Sequence, residues 1–424
     1  MEEKRKIGIR RRSCMGLEKQ DSIRGREMTG KVLVLGLIIL LMGQFGMTVP
    51  AVANDDLSFH TIKVMTQNLY VGAEIQSLAA ANTLPEFLAG VQAALNQIEA
   101  NQFPERAAVI AAEIAEKKPH LVGLQEVYNF TQNGSNADPP FRDYLNDLLD
   151  ALEARGAFYE AVAVVNNFDM EIPIPLGDFG IVRVLDRDVI LARSDVAPTV
   201  TKVDPADLCS GRESGDGCNY LVVASIDSPV LGPIAFKRGF VAVDTHIGTL
   251  PVRFVNTHLE VREVDPENPL SPLIQAAQAS ELVGLLSPMG PLSTEDKPII
   301  LVGDFNSSHE DPIRFIEGQL LVPPYKQIRF SQFVDIWNRN LLKFLNPDGF
   351  TCCQPANLQG ESSLYERVDL IFVRNRCGEW QFTIPGPALA VVVGDEEQYK
   401  TDTVPPLWPS DHGGVAATMF IPKF

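Results

Sequence analysis

Apolar residues recur along this 424-residue chain with two spacings, one typical of strands and one of helices. Short apolar runs ending in polar residues predict strands at 62–68, 119–127, 187–193, 239–245, 252–258, 298–306, 367–373 and 415–420. Apolar residues three and four apart predict helices at 104–117, 141–155 and 274–286. This order predicts an α/β fold, a four-layer sandwich in which two packed mixed β-sheets are flanked by helices.

Polar segments between these elements predict loops around a cleft. The longest are 131–140, 204–219, 262–272 and 346–363. No segment has the composition of a linker that would split residues 55–424. We therefore expect a single domain over 55–424.

The N-terminal segment has a different composition from the rest of the chain. Residues 1–31 are basic, residues 32–49 are mostly apolar, and Pro50-Ala51-Val52-Ala53 follows. This order is typical of a secretory signal, here 1–53, cleaved after Ala53, which predicts a secreted or periplasmic protein. An uncleaved membrane anchor formed by 32–49 is the alternative, because the run is nearly long enough to span a bilayer. The basic stretch is long for a signal, so an extended N-terminus with Met28 as the true start is also open.

The chain is strongly acidic, with 36 Lys and Arg against 54 Asp and Glu and a net charge of −18. Without residues 1–53, 26 basic and 49 acidic residues remain, a net charge of about −23. Such a surface repels a nucleic-acid backbone unless a local basic groove or a divalent cation intervenes. The charge disfavours tight non-specific DNA binding, but it is compatible with a metal-dependent enzyme.

Cysteine spacing predicts disulfides, since an exported protein can keep them. Cys209 and Cys218 flank a short polar loop and predict one bridge. Cys377 could pair with either Cys352 or Cys353, which would leave one thiol over. A zinc site is disfavoured because the sequence has neither a CxxC motif nor Cys and His at ligand spacing.

Polar residues stand at the ends of several predicted strands, where a core strand has no use for them. They are Asn68, Glu126, His258, Asp304 with Asn306, and Asp369 within its strand. Residues two apart on a strand face the same way, so Asp304 and Asn306 point together. Carboxylates converging with amides and histidines suit a hard cation such as Mg²⁺ or Mn²⁺.

Six segments carry a family resemblance. "TQNLY", "LVGLQEV", "FVNTHLE", "LVGDFNS", "ERVDLIFV" and "WPSDHGGV" occur in this order between 62 and 420. They resemble the ordered motifs of the endonuclease/exonuclease/phosphatase superfamily, which includes pancreatic-deoxyribonuclease-like nucleases, neutral sphingomyelinases and inositol-polyphosphate 5-phosphatases. The resemblance implies a metal-dependent hydrolase of phosphoric esters.

The resemblance also implies residues that bind the metal and the phosphate. Glu126 resembles the metal-binding Glu, Asn68 helps to hold metal or phosphate, and Asp411 is a second metal ligand or an orienting residue. Asn306 resembles the residue that hydrogen-bonds the phosphate. Arg238 is a less specific candidate for phosphate contact.

Four further residues resemble catalytic groups. Asp304 resembles the residue that orients or deprotonates the attacking water, and His412 resembles the His that stabilises charge on the phosphoryl oxygens. His258 resembles a His that acts toward the leaving group. Asp369 resembles a carboxylate paired with an active-site His, and the sequence leaves His412 and His258 both open as its partner.

Substrate choice lies in loops that vary between family members. We expect a phosphodiester substrate, either nucleic acid or a phospholipid head group, and a monomer without an obligate protein partner. A phosphodiesterase or nuclease is the leading hypothesis. The alternatives are a sphingomyelinase-like phospholipid phosphodiesterase, an inositol-phosphate phosphatase, and a catalytically silent exported binding protein.

Overall fold

The computed structural model describes residues 59–75, 78, 81–132, 140–174, 180–262, 271–294, 297–316, 318–374 and 386–422. These residues form one compact unit within Ser58–Arg376 and Ile384–Phe424. The predicted signal segment 1–53 and Cys377 lie outside the described residues, as do most of the loops 131–140 and 262–272.

The described elements follow one another along the chain as alternating groups of strands and helices. The strands are β1 (Phe59–Asn68), β2 (Leu121–Gln125), β3 (Asn129–Gln132), β4 (Pro140–Asp143), β5 (Tyr159–Ile174), β6 (Gly180–Arg193), β7 (Thr201–Lys202), β8 (Glu213–Ser214), β9 (Gly217–Asn219), β10 (Ala224–Ser228), β11 (Gly232–Phe236), β12 (Gly239–Ile247), β13 (Leu250–His258), β14 (Ile299–Asp304), β15 (Arg314–Ile316), β16 (Gln319–Leu321), β17 (Val334–Asp335), β18 (Asp369–Arg374), β19 (Ala388–Val393) and β20 (Gly414–Pro422). The helices are α1 (Leu84–Ala100), α2 (Phe103–Lys117), α3 (Tyr144–Ala154), α4 (Ala206–Cys209), α5 (Ser271–Leu286) and α6 (Pro324–Phe330).

Two mixed sheets contain most of the described strands. The first has the order β19-β20-β1-β2-β6-β3-β4, with β5 also paired to β6. The second has the order β17-β18-β14-β13-β12-β9-β8, with β7 also paired to β12. Each sheet has one parallel pair near its centre, β1 with β2 and β13 with β14. Parallel neighbours end at the same edge, so each sheet presents two carboxyl-terminal strand ends together.

Alternating side chains assign the two faces of each sheet. Ile62 and Val64 of β1 and Ile300 and Val302 of β14 belong to one buried cluster between the sheets. The outer face of the first sheet packs against α2 and α3, and that of the second packs against α5 and α6. The fold is therefore the α/β sandwich that the pattern predicts, with sheets inside and helices outside.

One polar cluster interrupts the apolar interface between the sheets. Asn256 of β13 accepts a 2.6 Å hydrogen bond from Gln125 Nε2 and donates to the carbonyls of Leu124 and Val189. Gly123 makes this approach possible, because a Cβ there would lie 2.6 Å from Asn256 Oδ1. Burial makes unpaired polar groups costly, so this paired cluster fixes how the sheets align.

All eight predicted strands and all three predicted helices are present; their ends agree within three residues, except that β6 begins seven residues earlier than predicted. The predicted helices do not include α1, which begins with Thr83 as its cap and buries Phe87, Val91 and Leu95 at helical spacing. The predicted strands do not include β5, and α4, β8 and β9 lie in the predicted loop 204–219. Many of these elements are short or pair with distant strands, and such pairing has no local signal.

The predicted bridge between Cys209 and Cys218 is confirmed, with sulfurs 2.03 Å apart. The expected pairing of Cys377 with Cys352 or Cys353 stays a prediction, because Cys377 lies outside the described residues.

Among the described residues, we find no helix with the length and apolar character needed to cross a membrane.

A buried carboxyl on α2 makes the fold sensitive to pH. Glu113 is 3 % exposed and faces Gly394 and Asp395. Burial, and then the charge of Asp395, raises the pKa of Glu113 to about 8, against smaller opposing effects from Gly394 and Lys117. The folded state therefore holds this proton more tightly than the unfolded chain, whose Glu pKa is 4.5. The contribution of Glu113 to the free energy of unfolding is complete below pH 4.5 and is lost as the pH rises through about 8.

We expect Glu113→Gln to be more stable than the parent at pH 8, with a smaller advantage at pH 5, because the amide needs no proton. Thermal unfolding at both pH values measures this. Glu105→Gln, an exposed change on the same helix, is the control and should show no pH-dependent difference. A Glu113→Gln advantage that is the same at both pH values would contradict the assignment.

Candidate active site

Three predicted residues lie side by side at one edge of the second sheet. Strand pairing sets His258 opposite Asp304 and sets Asp304 opposite Asp369. Gly303 permits this close pairing, since its φ is +150° and a Cβ there would lie 1.9 Å from the carbonyl oxygen of Thr257. The carboxyl ends of β13 and β14 thus bring a histidine and a carboxylate into contact.

Asn68 connects this edge to the first sheet. Its Nδ2 donates to Glu126 Oε1 at 3.2 Å and to Asp304 Oδ2 at 3.1 Å. Its Oδ1 accepts from the backbone N–H of Tyr70 at 2.9 Å, which fixes the orientation of the amide. The amide nitrogen, and not the oxygen, therefore faces the two carboxylates. A direct metal bond from Asn68 remains a prediction, and the geometry gives it a positioning role.

Backbone conformation aims two of the site residues. Glu126 and Asn306 follow their strands with φ values of +55° and +47°, which residues other than glycine seldom adopt. Glu126 Oε2 accepts from the N–H of Val71 at 2.9 Å, and the N–H of Asn306 donates to Asp304 Oδ1 at 2.8 Å. Such conformations cost roughly 1–3 kcal/mol each and concentrate at functional sites.

Asp369 pairs with His412, which resolves the partner that the sequence left open. His412 Nδ1 lies 2.8 Å from Asp369 Oδ2, and its Nε2 lies 3.9 Å from Asp304 Oδ2. Burial alone would lower the pKa of His412, but the charges of Asp369, Asp411 and Asp304 outweigh it and raise the pKa well above its usual value. This shift favours the protonated imidazole, whose Nε2 faces Asp304.

His258 has a different environment, because Arg238 lies beside it. Arg238 Nη1 is 3.2 Å from His258 Nδ1, and the guanidinium also lies 3.4 Å from Glu260 and 3.6 Å from Asp186. A guanidinium only donates, so Nδ1 accepts and the proton resides on Nε2, 3.4 Å from Asp304 Oδ2. Burial, Arg238 and His412 all lower the pKa of His258, which keeps it neutral. Phosphate contact by Arg238 stays a prediction.

Buried carboxylates crowd the space between the sheets. Burial raises the pKa of Asp304 to about 6 and that of Asp411 to about 7, although His412 opposes both shifts. The charge of Glu126 raises the pKa of Asp411 further. Asp369 Oδ1 is buried and has no hydrogen-bond partner among the described residues. Oxygen donors at this density fit a divalent cation, which would relieve their mutual repulsion.

Ligand atoms of Asp304, Asp369 and His412 lie within 4.8 Å of one another, a group that could hold a metal ion. The Asn68 amide joins Glu126 to Asp304, and the charge of Glu126 raises the pKa of Asp411. The carboxylate oxygens of Glu126 and Asp411 are hard donors of the kind that Mg²⁺ or Mn²⁺ takes.

Arg106, which is not among the predicted site residues, supports the segments that carry the site. It is fully buried on α2 and donates to the carbonyls of Leu69, Pro409, Tyr70 and Asn101 at 2.8–3.3 Å. One guanidinium thus joins the segment after Asn68 to the segment before Asp411. The signal was present, because Arg106 is a charged residue on the apolar stripe of a predicted helix.

A model of the Endonuclease/Exonuclease/phosphatase family matches residues 65–412, most of the chain. The chain belongs to this family. Its members hydrolyse phosphoric esters, so the protein is an enzyme of that class, and the alternative of a catalytically silent binding protein is set aside. Divalent-metal dependence is a property of the family.

Solved structures with a similar fold have low sequence identity. Truncated TDP2 from Caenorhabditis elegans is 17 % identical over 85 % of this chain and 98 % of that chain, with a TM-score of 0.44. A family protein from Leptotrichia buccalis is 14 % identical over 86 % and 100 %, with a TM-score of 0.45. A mannosyl-6-phosphatase from Bacteroides thetaiotaomicron is 14 % identical over 84 % and 99 %, with a TM-score of 0.44. No curated protein sequence matches the chain.

We expect Arg106→Met to lower the free energy of unfolding by about 2–4 kcal/mol, because several buried carbonyls lose their donor. Urea unfolding measures this, and hydrolysis should fall as well because the segments carrying Asn68 and Asp411 are no longer joined. Arg155→Met, an exposed change at the end of α3, is the control. Equal stability of the two variants would show that Arg106 does not support the site.

Proposed function

We propose that this chain is an exported, divalent-metal-dependent phosphodiesterase, of nuclease or phospholipid-cleaving type. The observation that carries the proposal is the set of contacts around Asp304. Its Oδ2 lies 3.1 Å from Asn68, 3.4 Å from His258 and 3.9 Å from His412. Phosphoryl transfer needs positioning and charge neutralisation more than covalent chemistry, and this set provides both.

In this mechanism Glu126 and Asp411 would hold the cation, and Asn68 keeps the Glu126 carboxylate in place. A divalent cation held there would supply positive charge to a phosphoryl oxygen. Asp304 orients the attacking water, because its carboxylate is rigidly held by Asn68 and by the N–H of Asn306.

Two hydrogen-bond donors, His412 and Asn306, act on the negative charge of the phosphoryl group. His412, kept protonated by Asp369, directs Nε2–H into the site and stabilises negative charge on the phosphoryl oxygens. Asn306 lies beside His258, and the family resemblance assigns its amide to the phosphate. His258, as a neutral imidazole held by Arg238, positions Asp304 and carries no positive charge toward the leaving group.

Export and substrate choice rest on separate observations. The basic, apolar and small-residue order of 1–53 supports export. The net charge of −18 disfavours electrostatic attraction of a nucleic-acid backbone. The weak attraction favours phospholipid-type substrates as the second candidate. An inositol-phosphate phosphatase would need a basic pocket for extra phosphates.

We expect Asp304→Asn and His412→Ala to abolish hydrolysis of bis-p-nitrophenyl phosphate while circular dichroism remains that of the parent. The reason is that one change removes the water-orienting carboxylate and the other removes the cationic donor. Asp402→Asn and His246→Ala alter exposed residues of the same types and should keep full activity. Full activity in either site variant would refute the assigned mechanism.

Chelation tests whether hydrolysis requires a divalent metal ion. EDTA should abolish turnover, and Mg²⁺ or Mn²⁺ should restore it, because the buried carboxylates need a cation to bind an anionic substrate. Assays of DNA, RNA, sphingomyelin and inositol phosphates under the same conditions identify the substrate class. Turnover that persists in EDTA would contradict the metal-dependent mechanism.

A further inference from the structure

Two adjacent cysteines lie beside the active-site histidine. One ligand atom each of Cys352, Cys353 and His412 lies within 4.8 Å of the other two. Sequence spacing disfavours a zinc site here, because the cysteines and His412 are far apart along the chain. The fold therefore supplies a set of two sulfurs and one imidazole that local spacing cannot show.

Backbone pairing holds the cysteines against the catalytic segment. Cys352 forms an antiparallel bridge with His412. The N–H of Gly413 donates to the carbonyl of Thr351 at 2.7 Å. These contacts involve no sulfur, so they hold the two segments side by side in either oxidation state of the cysteines.

The oxidation state decides whether the sulfurs can act as ligands. In the structure they are bonded to each other, and a bridge from either of them to Cys377 is what the spacing predicts. Cys353 is partly exposed, whereas Cys209 and Cys218 of the other bridge are 3 % and 0 % exposed. A soluble dithiol therefore reaches Cys353 first. It gives up two electrons and two protons, the S–S bond breaks, two thiols form, and the reductant becomes a disulfide.

Two thiolates and an imidazole suit a different cation from the one that phosphoryl transfer uses. Such ligands are typical of Zn²⁺, whereas Mg²⁺ takes oxygen ligands. Bonds of about 2.3 Å to sulfur and about 2.0 Å to nitrogen place the ligands of one zinc ion within roughly 4 Å of one another. Small rotations of the two cysteine side chains therefore complete the set after reduction.

We propose that Cys352, Cys353 and His412, once the cysteines are reduced, bind a thiophilic divalent cation such as Zn²⁺, and that this cation stops hydrolysis. The inhibition rests on the proposed function, in which His412 stabilises charge on the phosphoryl group. His412 Nδ1 lies 2.8 Å from Asp369 Oδ2, and its Nε2 lies 3.9 Å from Asp304 Oδ2. A cation on either nitrogen displaces an N–H that the mechanism uses.

The test measures Cd²⁺ binding by the ultraviolet absorption of the cadmium–thiolate bond, a readout that needs no turnover. The purified protein is treated with dithiothreitol, freed of it by gel filtration under argon, and titrated with Cd²⁺ at constant Mg²⁺. The reduced protein should bind one Cd²⁺ per chain. Its hydrolysis of bis-p-nitrophenyl phosphate should fall in parallel, by about 100-fold at saturation, as loss of one preorganised donor does. The untreated protein should show neither change.

The two readouts separate the inference from the proposed function. Absence of thiolate absorption in the reduced protein, equal inhibition of the untreated protein, or saturation with hydrolysis intact would each overturn the inference. Thiolate absorption in a protein that shows no Mg²⁺-dependent hydrolysis would instead overturn the proposed function and support the cation site.

Serine variants assign the sulfurs. Cys352→Ser and Cys353→Ser each remove one thiolate, and each should lower both the absorption and the affinity for Cd²⁺. Cys14→Ser and Cys377→Ser make the same chemical change outside the described residues and should keep the parent titration. Each protein is compared with itself without Cd²⁺, and circular dichroism checks its fold. Parent-like Cd²⁺ binding in both Cys352→Ser and Cys353→Ser would overturn the inference.

A histidine variant tests whether the site includes the catalytic imidazole. His412→Ala should shift the Cd²⁺ titration of the reduced protein to higher concentration, because one ligand is lost. His246→Ala alters an exposed histidine and should keep the parent titration. The same affinity for Cd²⁺ in His412→Ala and in the parent would show that His412 is not a ligand, which would overturn the inference.

Discussion

The active site depends on one buried amide that joins two sheets. Asn68 ends the central strand of the first sheet, and its Nδ2 donates both to Glu126 beside it and to Asp304 of the second sheet. Two carboxylates in a region of low dielectric repel each other and need hydrogen-bond donors to be stable there. The amide provides two N–H groups at once, and the N–H of Tyr70 keeps it from turning over. Together with the cluster of Asn256 and Gln125, this connection sets the distance between the two strand ends.

Internal cations make such an acidic site compatible with folding. Arg106 holds the carbonyls behind Asn68 and Asp411, Arg238 lies among Asp186, Glu260 and His258, and His412 is paired with Asp369. Each cation is buried, so removal of either partner leaves an uncompensated charge. The two histidines consequently differ in charge, because one faces a carboxylate and the other faces a guanidinium.

The sequence predicted much of the sandwich and of its reactive edge. Polar residues after apolar runs have no role in a core, so Glu126, Asp304 and His258 were visible from local pattern alone. Contacts between distant segments are not visible from local pattern. Strand register sets Asp369 opposite Asp304, but its contact with His412 joins segments 43 residues apart, and the turn before β12 decides that Arg238 meets His258. The apolar period of α1 is a local signal, whereas its packing against β5 and β6 has none.

The most direct test compares two buried asparagines that both bridge the sheets. Asn68 touches the carboxylates, whereas Asn256 bonds Gln125 and two carbonyls deeper in the interface. We predict that Asn68→Ala lowers kcat/KM for bis-p-nitrophenyl phosphate by about 100-fold, as loss of one preorganised donor does, with a modest change in Tm. Asn256→Ala should lower Tm more and kcat/KM less. Full activity in Asn68→Ala would contradict the account.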